Sequence, residues 1–403
     1  MRLHVVLGVV LVAGHAQAEP VTFAQAIGEG ARHSPTVIEA ARARTVAGAL
    51  ARDHGSGLPS VPQATVLAGA RDPRGLPLGP EVVLTVQQEV SFRGLGAARA
   101  EAADWAQRAA VSELERARLE GAGAAALEWV ALLEAQELLR VRAIAAKDAE
   151  KLKTIADARA TAGLVTGADR ALAQAEVGAA KVALLDGEGR ATEARLLLAQ
   201  AMGLALDATL TAEGEFPRLE ATSDAVKHLA EAPAIRAADA RTRQANAEIA
   251  VAHALVGPTF SFGASVWREG SGDKAAAALV SVPLPFFDPA RYDAGKQAVL
   301  ASAAAGRAER LRVELEHQTR LAIHEREHTR EVKTVVEESV LAPLRTALAT
   351  AMTAYAAGTG ELSMLLLARR SAFAAEERAI TATAEVERAE IRLAALTGTL
   401  VPR

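Results

Sequence analysis

The sequence has no cysteine among its 403 residues. Disulfides, thiolate metal sites and lipidation on an amino-terminal cysteine are therefore excluded. Aromatic residues make up only 3% of the chain although 50% of it is hydrophobic, so small aliphatic side chains predominate. The net charge of −4 is modest and gives no reason to expect nucleic acid as a partner. Because alanine and leucine favour helices, this composition predicts long helices that pack closely side by side.

Long hydrophobic runs are also missing. The run from Val5 to Ala13 follows Arg2 and precedes Ala16-Gln17-Ala18, which is a small-residue cleavage pattern. The run is too short to span a membrane, so we interpret residues 1–18 as a secretory signal peptide and exclude them from the fold. No later stretch has the length and apolarity of a transmembrane helix. A membrane-embedded form of this protein therefore has to be a barrel.

One stretch alternates as a β-strand does. The apolar set is Phe260, Phe262, Ala264 and Val266, and the intervening set is Thr259, Ser261, Gly263 and Ser265. This period of two and the apolar run after the next turn predict strands at 259–268 and 276–284. In water, a hairpin placed between long helical tracts has nothing against which to bury its apolar face. Strands with one apolar face are what the wall of a transmembrane barrel requires.

The chain contains this arrangement twice. An earlier pair of strands is predicted at about 59–71 and 81–90. Landmarks recur at a spacing of 195 residues: Phe92 with Phe287, Gly163 with Gly358, and Gly203 with Gly398. The sequence therefore predicts two tandem repeats, 19–210 and 211–403, each with a helix, two strands and a long helical hairpin. Glycine predicts hairpin turns near residues 163 and 358, and Pro343 predicts a kink or restart in the second long helix.

The number of strands implies that several chains assemble. One chain offers four membrane strands, whereas a closed barrel needs at least about eight and hydrocarbon does not tolerate open edges. Three chains would give a 12-stranded β-barrel continued by a 12-helix α-barrel. The predicted fold class is therefore mainly α with a membrane β-barrel portion. Lumen-facing Thr259, Ser261 and Ser265 would keep the bore of this barrel wet.

Several short motifs occur in a fixed order along the two repeats. They are Phe23-Ala-Gln-Ala-Ile, Ser34-Pro35, Gln87-Gln88-Glu89-Val90 with Gly94, Val282-Pro-Leu-Pro-Phe-Phe-Asp288, Leu341-Ala-Pro343 and Tyr355-Ala-Ala-Gly358. With them, the chain resembles the TolC-type outer-membrane efflux factors over nearly all of its mature length. The resemblance implies a homotrimer whose barrel lies in the lipid of the cell outer membrane, with a periplasmic helical extension. It also implies a passive exit duct that docks onto a periplasmic membrane-fusion adaptor and an inner-membrane pump of the RND or ABC type.

The resemblance assigns adaptor docking to the two helical turns. The matching residues are Gly163, Leu164, Val165, Thr166 and Asp169, and then Gly358, Thr359, Glu361, Leu362 and Ser363. The alternative is that these are ordinary turn residues without a partner. Members of the family often narrow the closed pore with acidic residues after the second turn, but here residues 364–370 are apolar and then basic. The constriction is expected to be an acidic ring from Asp169 or an apolar narrowing at Met364 and Leu367 that gates by dewetting.

The function predicted from the sequence is an exit duct for tripartite efflux or type I secretion. The segments Gln88-Glu89 and Pro285-Phe-Phe-Asp288 resemble the branch that exports heavy-metal cations. A periplasmic coiled-coil adaptor, with the same helical hairpins but without membrane strands, is the second interpretation. No catalytic residue and no cofactor is expected for either.

A zinc hydrolase is the third interpretation. His324, Glu325 and His328 form an H-E-x-x-H string on a predicted helix, in which the histidines would bind zinc and the glutamate would act as base. Charged residues inside the string and its position in one long helical tract argue against catalysis. His317 shares a helix face with His324 and His328, and we expect these to be solvated histidines rather than a metal site.

Overall fold

The structure is a computed structural model of the chain. It describes residues 19–54, 61–71, 79–91, 94–205, 208–217, 219, 229–256, 259–282 and 290–400. The predicted signal peptide, the landmarks Phe92 and Phe287, and the segment Pro285-Phe-Phe-Asp288 lie outside the described residues.

Helices dominate the described chain, as the alanine- and leucine-rich composition predicts. They are α1 (Phe23–His33), α2 (Pro35–His54), α3 (Leu95–Thr161), α4 (Gly167–Ala201), α5 (Pro233–Leu255), α6 (Ala290–Val335), α7 (Ala342–Ala356) and α8 (Leu362–Thr397). A 3₁₀ turn spans Leu229–Glu231, and a π-helical segment spans Val336–Leu341. None of the helices in the described part is long and apolar enough to cross a membrane.

Two sheets are present among the described residues. The strands are β1 (Glu19–Val21), β2 (Gln63–Arg71), β3 (Gly79–Ser91), β4 (Leu210–Ala212), β5 (Thr259–Arg268) and β6 (Lys274–Ser281). β1 and β4 form a short parallel pair that the sequence does not predict. The other four strands form one antiparallel sheet in the order β2-β3-β5-β6. β5 coincides with the predicted 259–268, whereas β2, β3 and β6 differ from their predicted bounds by one to four residues at one or both ends.

The chain divides into two compact units, and each unit draws on both predicted repeats. Unit 1 comprises residues 1–35, 118–225 and 319–403, and unit 2 comprises residues 36–117 and 226–318. Unit 2 holds the four-stranded sheet together with helical segments that are joined by ion pairs. One of these pairs connects Arg236 of α5 to Glu115 of α3 at 2.8 Å, and another connects Arg241 to Glu113 at 2.9 Å.

The main core of unit 1 forms around Trp129 of α3. The indole is 1% exposed, and its Nε1 donates a hydrogen bond to the carbonyl of Val21 in β1 at 2.7 Å. Phe23 packs edge-on against the same ring at a centroid distance of 5.3 Å. This tryptophan therefore anchors the short β1–β4 sheet to the long helix, because it is both an apolar filler and a hydrogen-bond donor.

Helices α1 and α3 meet at a pair of glycines. A Cβ atom added to Gly30 would lie 2.4 Å from the carbonyl oxygen of Gly121, and one added to Gly121 would lie 2.4 Å from that of Gly30. The side-chain oxygen of Ser34 is equally close to the second position. Only residues without a Cβ atom permit this backbone approach.

The second long helical path restarts at Pro343, as the sequence predicts, since proline has no N–H and its ring crowds the carbonyl four residues earlier. α6 ends at Val335, and a π-helical segment follows at Val336–Leu341, in which the Ala342 N–H donates to the carbonyl of Glu337, five residues back. The wider turn places Pro343 in the first turn of α7, where its missing donor costs little.

Two acidic side chains of α8 are buried. Glu390 is 1% exposed and forms an ion pair with Arg330 of α6. Glu387 is 8% exposed, and burial raises its pKa to about 6. A hydrogen bond from the Leu219 backbone and the positive charges of Lys333 and Arg330 oppose that increase, whereas Glu390 adds to it. Folding therefore shifts the equilibrium of Glu387 toward its protonated form.

The stability of the folded protein should respond to this carboxyl group. Because its pKa rises from 4.5 to about 6 on folding, its stabilising effect is fully present below the lower value and is lost as the pH rises through the higher one. Glu387→Gln keeps an acceptor for the Leu219 N–H and should stabilise the protein at pH 7.5 by roughly 1 kcal/mol, but not at pH 4. Thermal unfolding in detergent at both values measures this. An equal, pH-independent gain in the control Glu385→Gln would contradict the assignment.

Candidate functional site

The first helical turn, between α3 and α4, ends one helix with glycine and starts the next with a capping box. Gly163 has φ +71°, and the N–H of Leu164 donates to the carbonyl of Arg159 at 2.9 Å. This left-handed closure explains why glycine occupies the position. Thr166 then caps α4, since its hydroxyl accepts a hydrogen bond from the Asp169 N–H at 3.2 Å.

Asp169 completes the capping box. Its Oδ2 accepts hydrogen bonds from the hydroxyl of Thr166 at 2.7 Å and from the backbone N–H of Thr166 at 2.9 Å. These bonds, the hydroxyl first, lower the pKa of Asp169 below its usual value. The carboxylate is therefore held in its ionised form at the N-terminus of α4, where the helix dipole also favours negative charge.

The second turn, between α7 and α8, has the same glycine closure but a different start. Gly358 has φ +76°, and the N–H of Thr359 donates to the carbonyl of Ala354 at 3.0 Å. Glu361 is the N-cap of α8 without a side-chain hydrogen bond to the helix. Instead, the hydroxyl of Ser363 donates to its carboxylate at 3.3 Å. The acidic residue of this turn is thus less firmly fixed than Asp169.

Unit 1 brings the two turns together. The cluster beneath them consists of Leu152, Ala156, Ala173, Tyr355, Leu362, Leu365 and Leu366. Arg159 joins the two hairpins, because its guanidinium lies 4.2 Å from the centre of the Tyr355 ring and donates to the Tyr355 carbonyl at 2.9 Å. Leu362, which is one of the predicted docking residues, is buried in this cluster. Its side chain supports the turn from within.

The exposed residues near the turns are partly apolar. Leu164 is 74% exposed at the first turn, and Met364 and Leu367 are each 61% exposed at the start of α8. Leu365 and Leu366 face the interior between them. The first turn of α8 therefore has an inner apolar face that holds the hairpins together and an outer apolar face without a partner in the described chain.

The basic end of the same run is used for packing between helices. Arg369 is buried, and its Nη2 donates to the carbonyl of Ala145 in α3 at 3.3 Å. Burial lowers the pKa of this guanidinium. Arg370 forms an ion pair with Glu176 of α4 at 2.6 Å. The sequence shows the two arginines but does not indicate that they are partners of other helices.

The sheet of unit 2 has one continuous apolar face. The register aligns three rows of residues across the strands: Val66, Leu84, Val266 and Ala276; Ala64, Val86, Ala264 and Ala278; and Phe262 with Val280. Side chains directly opposite one another in antiparallel strands lie on the same face. The large members of these rows are exposed to solvent in the single chain.

The other face of the sheet carries polar side chains. The hydroxyls of Thr85 and Ser265 are 2.7 Å apart, and Gln87 Nε2 donates to Gln63 at 3.3 Å. The register places Ser261 on the same face, opposite Glu89 of β3. Thr259 pairs with Ser91 through its position in β5, but its side chain lies outside the described atoms. Polar side chains are thus concentrated on this face, although the register also places Leu67, Val83, Trp267 and Leu279 there.

The H-E-x-x-H string lies on α6, as predicted, but its glutamate has a structural partner. Glu325 forms an ion pair with Arg392 of α8. The rings of His324 and His328 are exposed and lie 6.3 Å apart between centroids. No group of three potential metal ligands occurs among the residues that the structure describes. The zinc-hydrolase interpretation thus has neither an unpaired general base nor a third ligand in this part of the chain.

Comparison with solved structures shows a shared fold. The Campylobacter jejuni CmeC outer membrane channel superposes with a TM-score of 0.82 at 15% identity, covering 94% of this chain and 85% of that one. The open state of the Neisseria gonorrhoeae MtrE outer membrane channel gives 0.78 at 21%, with coverages of 94% and 89%. CusC, described for its folding and transmembrane channel formation, gives 0.78 at 15%, with coverages of 93% and 91%.

Sequence comparison matches part of the chain to a known family. No curated protein matches the sequence significantly. Residues 225–399 match the sequence model of the family described as outer membrane efflux protein. Because this family and the similar structures are channels, the expectation that the chain is not an enzyme is confirmed. The resemblance seen in the sequence is confirmed as well: residues 225–399 match the outer membrane efflux protein family, and the described chain has the fold of outer-membrane channels.

Proposed function

We propose that this chain is one protomer of a homotrimeric exit duct in the outer membrane, serving tripartite efflux or type I secretion. The observation that carries the proposal is the apolar face that runs across all four strands of the sheet. Val66, Leu84 and Val266 remain exposed in the part of the chain that the structure describes, and a lipid environment satisfies them. Transport is passive, because a water-filled path needs neither covalent chemistry nor an energy source of its own.

The edges of the sheet support assembly from three copies. Within the described residues, β2 and β6 are the outer strands of the sheet, so each leaves one row of backbone donors and acceptors unpaired. Unpaired edges are not tolerated in hydrocarbon, and pairing β6 of one copy with β2 of the next removes them. Three copies give 12 strands and a polar bore lined by Ser261, Ser265 and Thr259. The channel folds reported above agree with such a barrel.

The paired turns of unit 1 are the proposed docking site for a periplasmic adaptor. Leu164 and Val165 at the first turn, and Thr359 and Ser363 at the second, present side chains next to the backbone of Gly163 and Gly358. A groove of about 640 Å³ beside α7 is lined by Pro343, Thr346, Ala347, Thr350, Ala354 and Met364, among others. Small side chains of this kind allow a partner helix to approach closely. An inner-membrane pump of the RND or ABC type would complete the system.

Two constrictions remain candidates. Asp169 would supply one carboxylate per protomer, already ionised by its hydrogen bonds with Thr166. Met364 and Leu367 would supply an apolar narrowing, since both are exposed while their neighbours are buried. The capping box gives Asp169 a structural role as well, whereas the side chains of Met364 and Leu367 remain exposed in the part of the chain that the structure describes. We therefore favour the apolar constriction.

Heavy-metal cations are the proposed cargo. Besides the sequence resemblance, the polar face of the sheet carries Glu81 and Glu89, which pair with Gly69 and Ser261 respectively. Acidic side chains in a bore favour the passage of cations. The periplasmic adaptor is the less favoured interpretation, because a freely soluble adaptor would have to expose the apolar face of the sheet to water.

Conductance of the purified protein in a planar lipid bilayer tests the proposal. We expect a detergent-extracted trimer from the outer-membrane fraction to form ion-conducting pores. Asp169→Asn should keep the cap and leave conductance unchanged if the narrowing is apolar, and it should reduce cation preference if the narrowing is an acidic ring. A monomeric protein that is soluble without detergent and forms no pores would overturn the duct and support the adaptor.

A further inference from the structure

Two cations lie at the end of the apolar face of the sheet. Arg268 ends β5 and Lys274 begins β6, and the register makes them direct cross-strand partners. Arg268 also pairs with Val82 of β3, so this row belongs to the face that carries Leu84 and Val266. Facing residues of an antiparallel pair have Cβ atoms about 5 Å apart, and like charges at that distance repel each other.

The protein itself offers these cations little compensation. Among the described residues, neither Arg268 nor Lys274 forms an ion pair with a carboxylate. In the turn that joins the strands, the carboxylate of Asp273 accepts a hydrogen bond from the Ser271 hydroxyl at 3.0 Å. Two unpaired cations next to an apolar surface would be stabilised by an anion bound between them.

A groove beside the cations is shaped for an amphiphile. It has a volume of about 520 Å³, with apolar walls from Val82, Leu84, Val266 and Ala276 and with Arg268 and Lys274 at its rim. Apolar walls suit an acyl chain, and the rim suits an anionic headgroup. A free anion would gain nothing from the walls, and a neutral lipid would gain nothing from the rim.

We propose that this groove binds a phosphorylated lipid of the outer leaflet, with a phosphate between Arg268 and Lys274 and an acyl chain against Val82, Leu84 and Val266. The inference rests on the proposed function, in which this face of the sheet meets lipid. Helix α5 enters β5 at the opposite end of that strand, so the turn at 269–273 lies at the strand end away from the helix. With periplasmic helices, that end is the external one, where the outer leaflet carries phosphorylated glycolipid.

Lipid binding to the purified trimer, measured by native mass spectrometry in detergent, tests the inference. The probes are lipid A with both phosphates, the same lipid after enzymatic dephosphorylation, and inorganic phosphate. We expect the double variant Arg268→Gln/Lys274→Gln to bind lipid A at least about tenfold more weakly, since it loses charge-assisted hydrogen bonds. The control Arg44→Gln/Lys296→Gln removes the same charge from exposed helix positions and should bind as the wild type does.

The remaining comparisons separate the sources of binding. Arg268→Lys keeps the charge and should retain binding, which guards against a folding defect in the double variant. Equal binding of dephosphorylated lipid A, or full competition by inorganic phosphate, would contradict the proposal that the groove binds a phosphorylated lipid. Unchanged lipid A binding in the double variant would also overturn the lipid site. Pore formation by the wild-type protein would still support the proposed duct in that case. Absence of pores and of outer-membrane localisation would instead count against the duct.

Discussion

Ala264→Arg is expected to abolish assembly of the protein in the outer membrane. Ala264 lies in the middle of β5, opposite Val86 of β3, on the apolar face of the sheet. An arginine facing lipid near the bilayer midplane costs about 2–4 kcal/mol in a barrel, and a homotrimer carries it three times. The measurement is the amount of heat-modifiable trimer in the outer-membrane fraction, which we expect to fall below about a tenth of the wild-type amount.

The neighbouring residue provides the matched control. Ser265→Arg places the same side chain one position away on the polar face, next to Thr85. Facing a water-filled bore, it should permit trimer formation and change mainly the conductance and ion preference. Equal loss of trimer in both variants would mean that the two faces do not meet different environments. The barrel wall would then be the wrong description of this sheet.

Gly121→Ala is expected to destabilise unit 1 by about 2–3 kcal/mol, as overpacking of a tight helix contact does. The new methyl group would lie 2.4 Å from the carbonyl oxygen of Gly30 and from the hydroxyl of Ser34. Neither atom belongs to a long, flexible side chain that can simply move aside. Helices α1 and α3 would have to separate, and the packing around them would loosen. Thermal unfolding of the protein in detergent, followed by circular dichroism, measures the effect.

Gly178→Ala is the control for this substitution. Gly178 lies within α4, and apart from the backbone of that helix and the adjacent residues, no atom of the described chain lies within 4 Å of a Cβ added there. Alanine at a free helix position should stabilise by roughly 0.5–1 kcal/mol, because glycine is the poorer helix former. The two substitutions are therefore expected to have opposite signs. An unchanged unfolding temperature in Gly121→Ala would show that the α1–α3 contact is not rigid.

The features that could be predicted from the sequence are those with a local signature. The alternation in residues 259–268 is visible because a strand places successive side chains on opposite faces. The closures at Gly163 and Gly358 are visible because only glycine adopts a left-handed conformation without strain. The ends of the strands were less predictable, since the first and last residues of a strand pair according to their neighbours rather than according to their own preferences.

The features that could not be predicted depend on residues that are far apart in the chain. The three-residue strands β1 and β4 are too short to show a period, and they exist because Glu19–Val21 meets Leu210–Ala212. In the sequence, Arg369 and Leu362 resemble exposed residues of an amphipathic helix, but both are buried in the structure. The pairing of Glu325 with Arg392 likewise decides against the hydrolase string, although the string itself matches its pattern.

The sequence by itself determined the helical class, the strand hairpins with one apolar face, and the glycine turns, because each is recorded as a short-range period or a conformational requirement of single residues. The tertiary structure alone decided which turns meet, which charges are buried and which strands join into one four-stranded face. Those outcomes follow from packing and electrostatics between segments that are far apart in the chain, such as Arg369 and Ala145, which are 224 residues apart. No local pattern carries that information.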